Sequence, residues 1–383
     1  MTPALTPAPR APGLTAPSVA ASPVPKLPDF PWDRLVPCKE RASAHADGLV
    51  DLSVGTPVDP TPRSVQEALR GAADAPGYPT VWGTPALRAA VIGYLRRRCS
   101  SVDLTEDCVL PTIGSKELVA SLPSQLGVRQ GQTVLIPEIA YPTYAVGALL
   151  AGAQCVASDA TSSVGPADVP LVWLNSPANP TGRVLPVEHL KKVVAWARER
   201  GAVVASDECY IECGWDVEPV SVLDPQVNGG SLDSILAVHS LSKRSNLAGY
   251  RAAFVAGDPV LVSSLREVRR HSGLMVPAPV QAAMTAALDD DGHIEPQRQR
   301  YLRRRELLRS ALEHAGFRVE HSEASLYLWA TRGAPCMQTV GWLAERGILV
   351  APGDFYGPAG ARHVRVALTA TDERVGAAVR RLE

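Results

Sequence analysis

The sequence lacks long apolar runs and an excess of either charge. Its 383 residues include 38 basic and 39 acidic side chains, which gives a formal net charge of −1. No stretch of 18 or more apolar residues is present, so the sequence predicts no membrane span. The balanced charge also gives no reason to expect nucleic acid or an anionic membrane as a partner. With 46% hydrophobic and 20% charged residues, the chain can still bury a large core.

Paired cysteines and several familiar catalytic motifs are missing as well. The seven cysteines form no Cys-x-x-Cys pair, so neither a disulfide framework nor a metal site is predicted. Scattered free thiols favour a cytoplasmic location. The sequence has no Gly-x-Gly-x-x-Gly fingerprint, no P-loop, no His-Glu-x-x-His and no Gly-x-Ser-x-Gly. These absences leave no fingerprint for a nicotinamide site, a P-loop NTPase, a zinc protease or a serine esterase.

The sequence pattern predicts a tail and two domains. Eight of the first 28 residues are proline, so we interpret residues 1–28 as a mobile tail. Between residues 61 and 270, amphipathic helical patterns alternate with short apolar runs. This alternation predicts a large α/β domain, with a mostly parallel central sheet and helices on both faces. Residues 29–60 and 271–383 are predicted to form a smaller α+β domain.

Five short apolar runs are the predicted strands of the central sheet. They are Thr133–Ile136, Leu171–Leu174, Ala202–Ala205, Ile235–His239 and Ala253–Val255. In such sheets, ligands bind at the carboxyl ends of the strands. We therefore expect the functional residues to follow Leu174, Ala205 and His239.

An arginine cluster, Arg303-Arg304-Arg305, lies in the long helical stretch Glu295–Ala315. The cluster could form an anion site or a solvated helix face. Because it is short and alternates with apolar positions, the sequence favours the solvated face.

Lysine is scarce, and Lys243 lies at the predicted ligand edge of the sheet. The chain has six lysines and 32 arginines. Lys243 closely follows a buried strand in a Ser-Leu-Ser-Lys turn, where partial burial can lower its pKa and make the amine nucleophilic. An ordinary surface lysine is the alternative. Ser240-x-x-Lys243 also matches the acylating motif of penicillin-binding hydrolases, although the accompanying Ser-Asp-Asn and Lys-Thr-Gly elements are missing.

Polar side chains follow two neighbouring predicted strands and are expected at the same edge. Asp207 and Tyr210 follow one strand, and Asn179 follows the strand before it. A carboxylate, an amide, a phenol and a lysine together are what pyridoxal phosphate requires. The lysine binds the aldehyde covalently, and the carboxylate keeps the ring nitrogen protonated so that the ring can accept electrons.

In order and spacing, these motifs resemble the fold-type I, class I/II aminotransferases. Asn179-Pro180-Thr181-Gly182 begins 28 residues before Asp207, which lies 36 residues before Lys243, and Arg251 follows eight residues later. The resemblance covers residues 29–383. It implies the fold of type I pyridoxal-phosphate transferases, amino-acid and 2-oxo-acid substrates, and a homodimer with a shared active site.

The resemblance also implies a role for each site residue. Lys243 would bind the cofactor and act as the acid and base, Asp207 would face the ring nitrogen, and Tyr210 and Asn179 would bind the ring hydroxyl. The other implied cofactor ligands are Gly114, Ser115 and Lys116 in a phosphate loop, Ser240 and Arg251 at the phosphate, Tyr141 stacked on the ring, and Tyr78 from the neighbouring subunit. Substrate contacts are implied for Gly55, Asn179 and Arg365, the last as the clamp for the α-carboxylate.

Longer strings resemble one branch of this family, the succinyldiaminopimelate aminotransferases of the bacterial lysine pathway. They are Phe30-Pro31-Trp32-Asp33, the segments 51–60 and 350–357, and Gly114-Ser115-Lys116-Glu117. This likeness implies that glutamate donates its amino group to N-succinyl-2-amino-6-oxopimelate. Arg244, Arg183 and Lys116 are the candidates for binding the succinyl carboxylate. A broad amino-acid aminotransferase, a pyridoxal-phosphate β-lyase and, from another class, the Ser-x-x-Lys hydrolase remain alternatives.

Overall fold

Thirteen α-helices and thirteen strands occur in residues 27–100 and 104–383, the parts of the chain that the computed structural model describes. The helices are α1 (Val36–Ser43), α2 (Arg63–Gly71), α3 (Pro85–Cys99), α4 (Ser115–Gln125), α5 (Thr143–Leu150), α6 (Val187–Arg200), α7 (Pro225–Asn228), α8 (Leu241–Arg244), α9 (Pro259–His271), α10 (Ala278–Asp289), α11 (Ile294–His314), α12 (Cys336–Ala344) and α13 (Asp372–Leu382). The strands are β1 (Val50–Asp51), β2 (Val109–Ile113), β3 (Thr133–Ile136), β4 (Gln154–Ala157), β5 (Leu171–Asn175), β6 (Val203–Asp207), β7 (Ile235–Ser240), β8 (Ala252–Gly257), β9 (Arg318–Glu320), β10 (Tyr327–Thr331), β11 (Ile348–Leu349), β12 (Ala351–Pro352) and β13 (Val364–Ala367). Nearly all of the predicted tail lies outside the described residues.

Seven strands form the central sheet in the order β2-β8-β7-β6-β5-β3-β4. Strand β8 runs antiparallel to both neighbours, and the other pairs are parallel. Apolar side chains cover both faces: one core includes residues of α3, α6 and α10, and the other includes residues of α4, α5 and α9. The predicted α/β fold with a mostly parallel sheet is therefore confirmed.

All five predicted strands are present, and three of them extend further toward the functional edge. Strands β5, β6 and β7 continue to Asn175, Asp207 and Ser240, whose polar side chains are buried. The pattern of apolar residues cannot show this extension, because the terminal residues are polar. Strand β2 was not predicted either, since it contains Pro111, which suits only an edge position such as the one it occupies.

The N-terminal and C-terminal segments share a third core, separate from the two that cover the central sheet. Strand β1 pairs with β11, and β12, β13, β10 and β9 form an antiparallel sheet in that order. Buried side chains from both ends of the chain, including Leu35, Trp329 and Val375, pack together there. The domain boundaries at residues 61 and 270 stay a prediction. Helix α10, which follows residue 270, packs in the core of the central sheet.

The arginine cluster of α11 is not the solvated face that the sequence favours. Arg304 is buried; it donates through Nη1 and Nη2 to the two carboxylate oxygens of Asp59 (2.8 Å each) and through Nε to Asp372 (2.6 Å). Arg305 is also buried and pairs with Asp216. Arg303 is exposed, as predicted. For Arg304 and Arg305 the prediction was wrong, because the carboxylates that neutralise them lie far away in the sequence.

Across residues 27–100 and 104–383, no helix is both long and apolar enough to cross a membrane. The same residues contain no cluster of three His, Cys, Asp or Glu side chains that could hold a metal ion.

Candidate active site

A cavity of about 460 Å³ lies at the carboxyl edge of the central sheet. The predicted site residues that line it are Gly55, Ser115, Lys116, Tyr141, Asn179, Asp207, Tyr210, Ser240, Lys243, Arg251 and Arg365. Their positions span more than 300 residues of sequence, so the fold brings together groups that the motifs only suggest. Gly114 packs against Arg251 at the edge of this set, whereas Tyr78 is not among the lining residues.

Lys243 projects from the short helix α8, directly after strand β7. The backbone N–H of Ser242 donates to Ser240 Oγ (3.2 Å), so Ser240 caps this helix. Lys243 Nζ donates to the carbonyl oxygen of Gly55 across the cavity. Burial lowers the pKa of Lys243 to about 8. Roughly a tenth of the amine is therefore neutral and nucleophilic at pH 7, far more than for a lysine of ordinary pKa.

Asp207 is the last residue of β6, and its side chain is buried. Its Oδ2 accepts a hydrogen bond from the Tyr144 hydroxyl (2.9 Å), and its Oδ1 accepts one from the Cys209 backbone N–H (3.1 Å). Burial raises the pKa of Asp207, and these donors oppose that rise. Within the described residues Asp207 forms no ion pair, so the site has a buried carboxylate suited to a cationic ring nitrogen.

Tyr144 is a site residue that the sequence interpretation missed. It is fully buried, one turn after Tyr141 on α5, and its ring stacks on Trp173 with centroids 4.9 Å apart. This packing fixes the hydroxyl that donates to Asp207. Its local sequence carries no signal for this role, because the carboxylate that it supports is 63 residues away.

The N-terminus of α4 and Arg251 form a cradle for an anion. Helix α4 starts at Ser115, and its first N–H groups have no partner within the helix, so they favour a negative group. Gly114 precedes the helix with φ +77°, and a Cβ there would overlap the Arg251 guanidinium. Only glycine can therefore bring the arginine this close to the helix terminus.

Arg365 lies at the opposite part of the cavity, on β13. Its Nη1 donates to Asn179 Oδ1 (2.9 Å), its Nη2 donates to the carbonyl oxygen of Ser53 (2.6 Å), and it is 3% exposed. Arg365 Nε has no hydrogen-bond partner among the residues that the structure describes. A buried donor of this kind calls for an anionic acceptor such as a carboxylate.

Two phenols close the cavity beside Arg365. The hydroxyls of Tyr210 and Tyr327 are 2.8 Å apart, and the Arg365 guanidinium lies 4.1 Å from the centre of the Tyr327 ring. A Cβ at Gly55 would overlap the Tyr327 hydroxyl, so this position must be glycine. Tyr327 was not predicted, because nothing in its local sequence marks it as part of the site.

Two of the three candidates for the succinyl carboxylate were wrong. Arg244 points away from the cavity and donates to the Ala287 carbonyl oxygen and to Asp291 (2.6 Å each). Arg183 pairs with Asp159 at 3.3 Å and does not line the cavity. Lys116 does line it, and its Nζ lies 5.8 Å from the centre of the Phe30 ring.

The cavity thus combines a lysine of lowered pKa, a buried carboxylate, an anion cradle and a buried arginine with a free donor. This set fits pyridoxal phosphate, and it defines the class of fold-type I pyridoxal-phosphate enzymes. Residues 47–382 match the sequence profile described as Aminotransferase class I and II, so the chain belongs to that family. Its members use pyridoxal 5′-phosphate.

The chain is similar to several named members of this family and to solved structures. It is 62% identical over 356 residues to the probable aminotransferase Rv1178 of Mycobacterium tuberculosis, covering 93% of this chain and 85% of that protein. It is 60% identical over 357 residues to the 4-dedimethylamino-4-oxo-anhydrotetracycline transaminase OxyQ of Streptomyces rimosus, covering 93% and 99%. The structure of a probable N-succinyldiaminopimelate aminotransferase from Thermus thermophilus superimposes with a TM-score of 0.83 at 26% identity, covering 92% of this chain and 99% of that one.

Family membership contradicts the hydrolase alternative. The Ser240 hydroxyl caps α8, a role that explains the Ser-x-x-Lys spacing without an acyl-enzyme.

Proposed function

We propose that this aminotransferase moves the amino group of glutamate to N-succinyl-2-amino-6-oxopimelate, giving N-succinyl-LL-2,6-diaminopimelate and 2-oxoglutarate. One observation carries the proposal. Besides Lys243 and Arg251, which we assign to the cofactor, the cavity holds two further basic side chains, Arg365 and Lys116, and Lys116 forms no ion pair within residues 27–100 and 104–383. A substrate with a carboxylate at each end of a long chain would bind both cations. The likeness to the Thermus thermophilus protein and the strings shared with succinyldiaminopimelate aminotransferases support this choice.

The proposed chemistry assigns the catalytic groups of the cavity. Pyridoxal phosphate, when bound, supplies a ring that accepts the electrons left as a substrate C–H bond breaks. With the cofactor bound, Lys243 would hold its aldehyde carbon, and once the substrate amine has displaced the lysine from that carbon, the freed Nζ would take the proton from the substrate Cα. Asp207 keeps the ring nitrogen protonated. Tyr210 and the Asn179 amide donate to the ring hydroxyl, and Asn179 can do so through Nδ2 because its Oδ1 already accepts from Arg365.

The remaining groups bind and orient. The backbone N–H groups of Ser115 and Lys116, in the first turn of α4 after Gly114, bind the phosphate together with the side chains of Ser240 and Arg251, and Tyr141 stacks on the ring. The Lys116 side chain is thereby left for the substrate. Arg365 binds the substrate α-carboxylate beside the backbone of Gly55. Tyr78 is 96% exposed in a single chain, which supports its reaching the phosphate of a neighbouring subunit in a homodimer. A location in the cytoplasm suits these soluble substrates.

The absorption spectrum of the holoenzyme tests the substrate. We expect N-succinyl-LL-diaminopimelate, added without an acceptor, to bleach the visible band of the lysine-bound cofactor, and 2-oxoglutarate to restore it. The rate with the succinylated substrate should exceed that with unacylated LL-diaminopimelate by about 100-fold or more, because the unacylated compound lacks the succinyl carboxylate assigned to Lys116 and brings a free ammonium near that lysine instead. A band that responds equally to many ordinary amino acids would contradict the proposal and indicate a broad-specificity enzyme. Release of pyruvate from a cysteine conjugate, without any acceptor, would indicate a β-lyase.

A second candidate function follows from the likeness to OxyQ, whose name describes a transaminase acting on a tetracycline precursor. The aromatic rings of Phe30 and Trp32 stack 5.5 Å apart, and both residues line the cavity, so a polycyclic substrate would also find an apolar surface. Bleaching by the 4-amino form of such a tetracycline precursor, with none by N-succinyl-LL-diaminopimelate, would favour this function.

Replacing Lys116 with methionine tests the distal subsite. We expect the KM for N-succinyl-LL-diaminopimelate to rise about 10- to 100-fold, the value of a hydrogen bond to a charged group. The kcat/KM for alanine, which has no distal carboxylate, and the visible absorption of the bound cofactor should stay unchanged. Lys191→Met, at an exposed lysine of α6, is the matched control. Equal losses with both substrates, or loss of the cofactor, would place Lys116 at the phosphate and refute the distal role.

A further inference from the structure

A buried ion pair lies in the first turn of the helix assigned to the phosphate. Glu117 is the third residue of α4, and Arg269 reaches it from α9. Arg269 Nη1 donates to Glu117 Oε1 (3.1 Å), and Nη2 donates to Oε2 (2.8 Å). The Arg269 side chain is fully buried, whereas the Glu117 side chain is 26% exposed. The pair is therefore a bidentate ion pair between α4 and α9 that is largely shielded from water.

Glu117 has opposing effects at this position. A carboxylate in the first turn stabilises the positive end of the helix dipole. The same carboxylate repels an anion that binds the N–H groups of that turn. If Glu117 acted alone, its negative charge would therefore weaken phosphate binding at Ser115 and Lys116.

We propose that Arg269 is a positioning residue for the cofactor, acting through the charge of Glu117. By neutralising this carboxylate, Arg269 leaves the positive end of α4 available to the phosphate dianion. The inference rests on the phosphate site assigned under the proposed function. It differs from a purely mechanical role, in which the pair only fastens α4 to α9. In the mechanical case, loss of either partner would weaken cofactor binding. In the electrostatic case, the two losses act in opposite directions.

The test measures equilibrium binding of pyridoxal phosphate to four cofactor-stripped proteins: the native protein, Glu117→Gln, Arg269→Met and the double variant. Arg269→Met exposes the phosphate to an uncompensated carboxylate, so we expect its Kd to rise about tenfold, within the usual range for a charge at a helix terminus. Glu117→Gln keeps an acceptor oxygen for Arg269 and removes the negative charge, so its Kd should stay equal or fall. The double variant should return to within about threefold of the native value.

Pyridoxal, which lacks the phosphate, supplies the control for the charge argument. Its affinity should be the same in all four proteins, because it has no group at the α4 terminus. Arg305→Met is the matched control for loss of a buried arginine, since Arg305 pairs with Asp216 and not with α4. It should leave the Kd for pyridoxal phosphate unchanged.

Three results would overturn the inference: a higher Kd in Glu117→Gln, no recovery in the double variant, or an equal loss of pyridoxal affinity in Arg269→Met. If Arg269→Met does not fold, Glu117→Gln and the double variant still decide between the two roles. If the native apoprotein bound no pyridoxal phosphate, the proposed cofactor site itself would be refuted. If it bound pyridoxal phosphate but the variants did not change the Kd in the expected directions, only the role of Arg269 would be refuted.

Discussion

Lys243→Ala is expected to abolish transamination, with kcat falling by at least about 10⁴-fold, because one side chain supplies both the covalent link and the proton transfer. Alanine removes the amine whose pKa burial lowers to about 8. Of the lysines that the structure describes, Lys116 is the only other one that lines the cavity, and we assign its side chain to the substrate's distal carboxylate. Steady-state turnover with N-succinyl-LL-diaminopimelate and 2-oxoglutarate measures the loss, and circular dichroism shows whether the protein folds.

Three controls sharpen this expectation. Lys191→Ala, on the polar face of α6, should leave turnover unchanged. Ser240→Ala should lower cofactor affinity through the lost cap and phosphate contact, yet retain part of the activity. A small primary amine added to Lys243→Ala should restore a little proton transfer, since it can occupy the space left by the side chain. Near-native turnover in Lys243→Ala, with contaminating native protein excluded, would contradict the mechanism.

The features that the sequence predicted are those governed by local pattern. Helix α6 and strand β3 begin and end where their periodicity indicates, Val187–Arg200 and Thr133–Ile136. Asn179, Asp207 and Lys243 were also predicted to converge, because each follows a parallel strand of the central sheet and the carboxyl ends of such strands meet at one edge. Gly55, Arg251 and Arg365 were predicted only through the resemblance to the aminotransferases. Sequence spacing therefore carries information about the site before any contact is known.

The contacts that escaped prediction join positions that are distant in the sequence. Tyr144 is 63 residues from Asp207, and Glu117 is 152 residues from Arg269. Arg304 meets Asp59 across 245 residues. Burial of a charged or hydroxyl group depends on the partner that satisfies it, and a local pattern cannot identify that partner. The supporting groups of the site are for this reason harder to predict than the groups that contact the ligands.

Asp207→Asn is expected to lower kcat by about 10³-fold or more, comparable to or greater than the loss of one preorganised electrostatic contact in an active site. Asparagine keeps the shape of the side chain: its Oδ1 can accept from the Cys209 N–H, and its Nδ2 can donate to the Tyr144 hydroxyl, which then acts as the acceptor. It loses only the negative charge that would hold a proton on the ring nitrogen. The cofactor should still bind, because Lys243 and the α4 cradle are intact, and its visible absorption shows this directly.

Tyr144→Phe distinguishes the effect of the Asp207 charge from the effect of the hydrogen bond that Tyr144 donates to this carboxylate. That variant removes one hydrogen bond to the carboxylate but leaves the charge, so kcat should fall only about tenfold. A cofactor analogue with a methylated ring nitrogen carries a permanent positive charge and needs no carboxylate to hold a proton. It should therefore recover much of the activity of Asp207→Asn while giving Tyr144→Phe little benefit. If Asp207→Asn stayed within a few-fold of native activity, or if the analogue restored nothing, the carboxylate would not act through the ring nitrogen, and Asp207 would serve only to position the turn that holds Tyr210.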